Sequence, residues 1–165
     1  MPTAPTVSPL TDLTLDITEV VRVRASLDDA FDALLEELGP GNHGIGDAPM
    51  PMVLEARPGG RWFRDLGPTK GYEGQAGHLW GHVQVIKPPK LLEIRGPLFM
   101  SYSSVNFIRY RFNEEEGGTR LDFLHQAFGL IPADHREGVN EGWDYTIERI
   151  GEIAAKLLAA KGGKR

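Results

Sequence analysis

His125 is the residue best suited by type to do chemistry. An imidazole titrates near neutrality, so it can act as an acid–base group or as a polar anchor for a ligand. Leu121, Phe123 and His125 alternate with Asp122, Leu124 and Gln126. Alternate residues of a strand share a face, so His125 is expected on the apolar side. In Ser103–Asn113, Ile108, Tyr110 and Phe112 share one side, with Asn106 and Ser104 further along. Arg109 and Arg111 take the other side. The competing role for His125 is structural, because buried polar groups usually have hydrogen-bond partners.

Other chemistries find less support. His78, Trp80 and His82 alternate along one run. The two histidines share a face but stand roughly 13 Å apart, too far for one metal. The chain has no cysteine, which removes thiolate nucleophiles, thiolate metal sites and disulfides. A zinc site would need a carboxylate that no spacing marks. Asp65, Glu73 and Glu93 are not spaced as an acid–base pair. The glycines are turn glycines, without a phosphate loop or a nucleophile elbow. No metal and no cofactor is expected.

The elements that must position these residues read as mostly β. Leu13–Arg24 is a first strand, with a bulge expected near Thr18–Val20. Ser26 is an N-cap, Asp28 and Asp29 favour the first helical turn, and Ala30 to Leu38 form a short helix that Gly39 and Pro40 end. Gly39–Pro51 holds four glycines and three prolines and reads as a surface excursion or a binding loop. Strands follow over Val53–Ala56, Arg61–Leu66, Gln75–Lys87, Leu91–Arg95, Ser103–Asn113 and Arg120–Phe128. Gly67–Gly74 reads as a turn region, and Leu98, Phe99 and Met100 as core or cavity rim. The short connections make the sheet antiparallel. Val139, Trp143, Ile147, Ile150, Ala154 and Leu157 form one stripe of a long terminal helix. One early helix, a run of strands and a final helix make an α+β fold.

The chain has 165 residues, 41% of them hydrophobic, and a net charge of −5. One domain is the default at that length. The acidic balance argues against a nucleic-acid surface. No apolar run reaches the roughly 18 residues of a membrane span. The first residues lack the regions of a signal peptide, so a cytoplasmic location is expected. The expected layout is a flexible segment over 1–13, a folded domain over 14–160 and a basic tail over 161–165.

Four local patterns in order sharpen this reading. They are Pro58-Gly59-Gly60-Arg61-Trp62-Phe63; Gly81-His82-Val83 with Ile86 and Pro88-Pro89-Lys90-Leu91-Leu92; Gly117-Gly118-Thr119-Arg120-Leu121 with His125; and Gly142-Trp143. Together they resemble the SRPBCC superfamily of START lipid-binding domains, birch-pollen-type allergens and polyketide cyclases. Within it they look like the subgroup named for the activator of the heat-shock chaperone ATPase. The resemblance covers about residues 14–160. It implies a helix-grip fold: a curved antiparallel sheet of six or seven strands around the C-terminal helix, with a short helix after the first strand. Where that subgroup carries a W-W-G type segment, Gly39–Met50 has no tryptophan.

A helix-grip fold leaves a cavity between sheet and helix, mostly apolar with a few polar groups. Parity and the resemblance put Trp62, Trp80, Asn106, Ile108, Tyr110, Phe123, His125, Trp143 and Ile147 forward as its ligand-binding lining. The first reading is a binding module for a small hydrophobic or amphipathic molecule. The second is a cyclase- or hydratase-like enzyme using His125. The third is a protein-binding regulator of chaperone type, with a place in the stress response. A homodimer through the exposed sheet edge is a further expected partnership. The missing catalytic signature ranks the binding module first.

Overall fold

The computed structural model describes residues 9–44 and 46–162. Seven strands form one antiparallel sheet: β1 Thr14–Val23, β2 Val53–Leu54, β3 Arg61–Thr69, β4 Tyr72–Lys87, β5 Leu91–Gly96, β6 Ser104–Glu115 and β7 Gly118–Gly129. Their order is β1-β7-β6-β5-β4-β3-β2. From β2 to β7 the chain is a plain meander, and β1 closes the far edge against β7. The passage from β1 to β2 therefore crosses the whole sheet. It does so through α1, Leu27–Glu37, and the loop that follows. Helix α2, Ala133–Gly162, ends the described chain.

Each element forms for a local reason. The Ser26 side chain accepts the backbone N–H of Asp29 at 3.2 Å and caps α1, satisfying an amide the helix itself leaves free. Asp29 then pairs with Lys161, joining the first turn of α1 to the last turn of α2. Residue Lys161, expected in a tail, is thus helical, as is Gly162. The remaining tail positions, 163–165, and residues 1–8 lie outside the described residues. Leu10–Leu13 form a 3-10 turn, not a loose segment, and Arg136 of α2 donates to the carbonyls of Thr11 and Asp12 there.

The strands bury one face. Leu121, Phe123 and His125 on β7, and Asn106, Ile108, Tyr110 and Phe112 on β6, are all buried. Phe31 of α1 meets Phe112 edge-on at 5.9 Å. The expected stripe on α2 is also inside: Val139, Trp143, Ile147, Ile150 and Ala154 are buried, and Leu157 is half-buried. The grip is therefore α1 and α2 packed together in the hollow of a curved sheet.

Two expectations are corrected. β1 keeps an unbroken register with β7 from Thr14 to Val23, so it has no bulge near Thr18–Val20. Val20 simply points outward and is 58% exposed. The irregularities lie in β3–β5 instead, at Trp62/Phe63, between Asp65 and Thr69, and at Val83/Val85. Bulges bend a sheet and strengthen its twist, which lets this side fold over the helices. Second, Gly67–Gly74 is mostly strand: β3 runs to Thr69 and β4 begins at Tyr72. At the β4–β5 crossing, a Cβ on Gly96 would sit 2.4 Å from the Gly81 Cα. Two strands pass there at a distance only glycine allows.

Ile150 is fully buried on α2. Ile150→Ala is expected to cost about 2–4 kcal/mol through lost burial and a residual cavity. Urea unfolding should show a lower midpoint at unchanged slope.

Candidate functional site

One end of the interface between sheet and helices is not filled. A cavity of about 520 Å³ opens there. Trp62 of β3, Trp80 of β4 and Phe99 of the β5–β6 loop form one wall. Leu38 at the end of α1, with Asn42, His43, Gly44 and Met50 after it, forms a second. Helix α2 is the third, through His135, Gly138, Val139, Gly142, Trp143, Tyr145 and Thr146.

The aromatic wall is a ladder of edge-on contacts. Trp62 and Trp80 stand 5.0 Å apart, Trp80 and Phe99 5.6 Å, and Phe99 and His135 5.5 Å. Such geometries suit the ring quadrupoles. The Trp62 indole N–H donates to the Leu38 carbonyl at 2.7 Å, serving an end-of-helix carbonyl that would otherwise lack a partner. Leu98 holds φ at 54°, a strained value for a bulky residue. Its N–H donates to the Trp80 carbonyl at 2.8 Å and its side chain is buried. The strained turn leaves Phe99 at the cavity rim. Leu98 and Met100 are core and Phe99 is rim, so the segment divides between the two roles expected for it.

The helical wall is open because of two glycines. A Cβ built on Gly138 or Gly142 would meet nothing within 4 Å. A mid-helix glycine costs about 0.5–1 kcal/mol relative to alanine, and here packing does not demand it. What the glycines provide is space along one turn of α2.

Three of the nine residues proposed as lining face this cavity: Trp62, Trp80 and Trp143. The other six, Asn106, Ile108, Tyr110, Phe123, His125 and Ile147, are not in its wall and are packed in the interior. Strand parity predicts which side chains point inward. It does not predict where α2 lies close and where it stands off.

His125 is fully buried. The Trp143 indole N–H donates to its Nδ1 at 2.8 Å, and its Nε2 lies 2.8 Å from Asn106 Oδ1. An Nδ1 that accepts leaves the proton on Nε2, which then donates to Asn106. Asn106 Nδ2 goes on to Pro97 O at 3.3 Å and Ser104 Oγ at 3.2 Å. Burial holds the imidazole well below its usual range, down to about 4. The ring is neutral with both nitrogens engaged, so it presents no acid or base to a ligand.

The loop wall is tied to α2 by Arg149. Its guanidinium donates to Glu37 Oε2 at 2.9 Å, to Gly41 O at 3.1 Å and to His43 Nδ1 at 2.8 Å. Arg149 also reaches Asp47 Oδ1 at 3.3 Å, which accepts the Tyr145 hydroxyl at 3.1 Å. Glu37 is fully buried, and its Oε1 has no partner. Desolvation outweighs the help of Arg149 and pushes its carboxyl up to about 7. Among the described residues no three His, Cys, Asp or Glu side chains are grouped to hold a metal ion. No described helix is long and apolar enough to cross a membrane.

The family model for Activator of Hsp90 ATPase homolog 1-like protein matches residues 48–155. The chain belongs to this family. Its members share the SRPBCC fold seen in the solved structures similar to this chain. A protein of Rhizobium leguminosarum is 18% identical over 87% of this chain and 95% of its own, with a TM-score of 0.64. A protein of Nitrosomonas europaea is 18% identical over 88% and 97%, at 0.63. The di-domain ARO/CYC StfQ of the steffimycin biosynthetic pathway is 17% identical over 93% of this chain, at 0.64. The chain spans about half of that protein, 53% of its length. At these identities the likeness is one of fold. No curated protein matches the chain.

Most of the cavity wall lay outside the expected set. Gly138 and Gly142 carried a usable signal, since two glycines four apart inside an amphipathic helix defy helix propensity. Asn42, His43, Gly44 and Met50 belong to the Gly39–Pro51 loop, which the sequence marks as a surface excursion or a binding loop without singling out those side chains; His135 and Thr146 carried no signal, because no periodicity marks a residue on a helix flank.

Glu37 and His125 give opposite pH dependences. Glu37 rises on folding from 4.5 to about 7, so its contribution to stability falls as pH rises through that window. His125 drops from 6.5 to about 4, so its contribution falls as pH drops through its window. Each amounts to roughly 2–3 kcal/mol. The two offset each other in the wild type between about pH 4.5 and 6.5. Glu37→Gln should expose the histidine alone, and stepwise urea titrations should show stability falling from pH 6.5 toward 4 more steeply than in the wild type.

Proposed function

We propose that this chain binds a small, flat, mostly apolar molecule in the cavity between the sheet and α2. The observation that carries the reading is the wall itself. Trp62, Trp80 and Phe99 face a surface of α2 that carries Trp143 and is cleared by Gly138 and Gly142. The indole N–H groups of Trp62 and Trp143 are both spent on protein acceptors, so those rings offer a guest only apolar surface. A cavity of about 520 Å³ lies within the range of small-molecule sites.

A cyclase-like activity through His125 gains no support, although two structural neighbours are ARO/CYC proteins of biosynthetic pathways. The imidazole is absent from the cavity wall and has no free nitrogen. Activation of a chaperone ATPase rests on the family's printed name alone; stimulation of Hsp90 ATP turnover by the purified chain would support it.

A panel of naphthalenes, anthracenes, fatty acids and sterols read by thermal shift tests the binding function. A guest at 100 times its Kd adds about 2.7 kcal/mol, which raises the Tm by roughly 5–10 °C. Gly142→Leu should place its side chain in the cavity, abolish that rise and leave the unliganded Tm equal or higher. A wild type that responds to no compound, or a Gly142→Leu protein that still responds fully, contradicts the assignment.

A further inference from the structure

Two imidazoles stand in the cavity wall: His43 on the loop after α1 and His135 on the first turn of α2. Each is held by its Nδ1. The Tyr102 hydroxyl meets Nδ1 of His135, and the Arg149 guanidinium meets Nδ1 of His43 at 2.8 Å. Among the described residues neither Nε2 has a hydrogen-bond partner, and neither is enclosed as Asn42 Oδ1 is. Both rings thus keep one accessible nitrogen in the wall.

The two rings differ in what that nitrogen carries. A hydroxyl can donate or accept, so Tyr102 is compatible with either tautomer of His135. A guanidinium only donates. With Arg149 against it, Nδ1 of His43 is bare and the ring proton sits on Nε2. The Gly41 carbonyl also lies 2.8 Å from that Nδ1, but it takes a hydrogen from the same Arg149 amino group at 3.1 Å. A proton on Nδ1 would serve that carbonyl a second time and set two donors against each other. The loop holds the ring in place: His43 bridges Pro49, and the Met50 N–H donates to the Asn42 carbonyl at 2.9 Å. A bond donated into Nδ1 also polarises the ring and strengthens the N–H across it. Other donors of the wall are spent inside the protein: the Thr146 hydroxyl on Gly142, the Tyr145 hydroxyl on Asp47, and the indoles of Trp62 and Trp143 on Leu38 and His125.

From this geometry we infer that His43 is the specificity-determining residue of the cavity, and that its Nε2–H donates to a carbonyl oxygen carried by an aromatic guest. The inference rests on the binding function proposed above and narrows its ligand class to aryl ketones and related carbonyl compounds.

Equilibrium dialysis of the wild type against 2-acetylnaphthalene and 2-isopropenylnaphthalene tests this. The two compounds differ only in the exchange of a carbonyl oxygen for a methylene. A pocket that reads apolar area alone favours the olefin, because the ketone gives up its bonds to water. A donor in the wall reverses the order, and the ketone should bind roughly tenfold tighter. His43→Phe keeps a ring in place without its nitrogens and should return the advantage to the olefin. Nitrogen-15 spectra of histidine-labelled wild type give a second reading, which stands even if the variant fails to fold. The His43 Nε2 should be protonated and should shift with the ketone but not with the olefin. Equal affinities or an olefin advantage in the wild type, a ketone preference that survives His43→Phe, or a bare Nε2 overturns the role of His43 and leaves the cavity function standing. If neither compound binds the wild type, this inference falls, and the wider panel above decides the cavity function by itself.

Discussion

The indole N–H of Trp143 ends on His125, and His125 passes a hydrogen bond to Asn106. This buried relay joins the long helix to β7 and β6 at fixed spacing. Apolar contacts around it, such as Phe123 against Trp143 at 4.9 Å, supply most of the burial but little direction. The relay supplies direction, because each donor has one acceptor and a slip of the helix would strand all three groups in a dry interior. Where α2 continues toward its N-terminal end, its polar ties run to flanking segments and not across the sheet face: His135 to Tyr102 in the β5–β6 loop, and Arg136 to the carbonyls of Thr11 and Asp12. Gly138 and Gly142 keep its surface low there, and Trp62, Trp80 and Phe99 stand opposite without filling the gap.

Stability and opening are therefore divided along one helix. The half toward Ile147, Ile150 and Ala154 is closed core. The half toward His135 and Gly138 is a wall. The loop after α1 completes the enclosure, held by an arginine whose other partner is a buried carboxyl of raised pKa. Glu37 and Arg149 together are a weak source of net stability, since burying both costs about what their attraction returns. Their evident effect is positional: Arg149 reaches the carbonyl of Gly41 and the ring of His43 from the same guanidinium.

Much of the scaffold was legible because it depends on periodicity and punctuation. The Ser26 cap, the stripe from Val139 to Ala154 and the parity of β6 and β7 each follow from local rules, and each is present as read. The β1 bulge was misread because Val20 and Val21 are both apolar, and adjacent apolar residues imitate a break in alternation. One of them is merely an exposed valine. The extent of β3 and β4 was misjudged because Gly67, Gly71 and Gly74 look like a turn, whereas strands at a sheet's curled end tolerate glycine. The site was the least legible part. Inwardness is local, but the choice between packed interior and cavity wall depends on how far a helix stands from a sheet. His125 shows the cost of that gap: it was rightly read as inward, yet its nitrogens belong to the fold.

The protonation state of His125 tests this account most directly. Nitrogen-15 NMR of histidine-labelled protein reports which ring nitrogen carries the proton and at what pH the second one binds. The account predicts a single neutral tautomer, protonated on Nε2 and bare on Nδ1, that persists to about pH 4. A ring protonated on Nδ1, or one that titrates near its ordinary 6.5, would mean that Trp143 does not reach it and that the helix is not held to the sheet in this way.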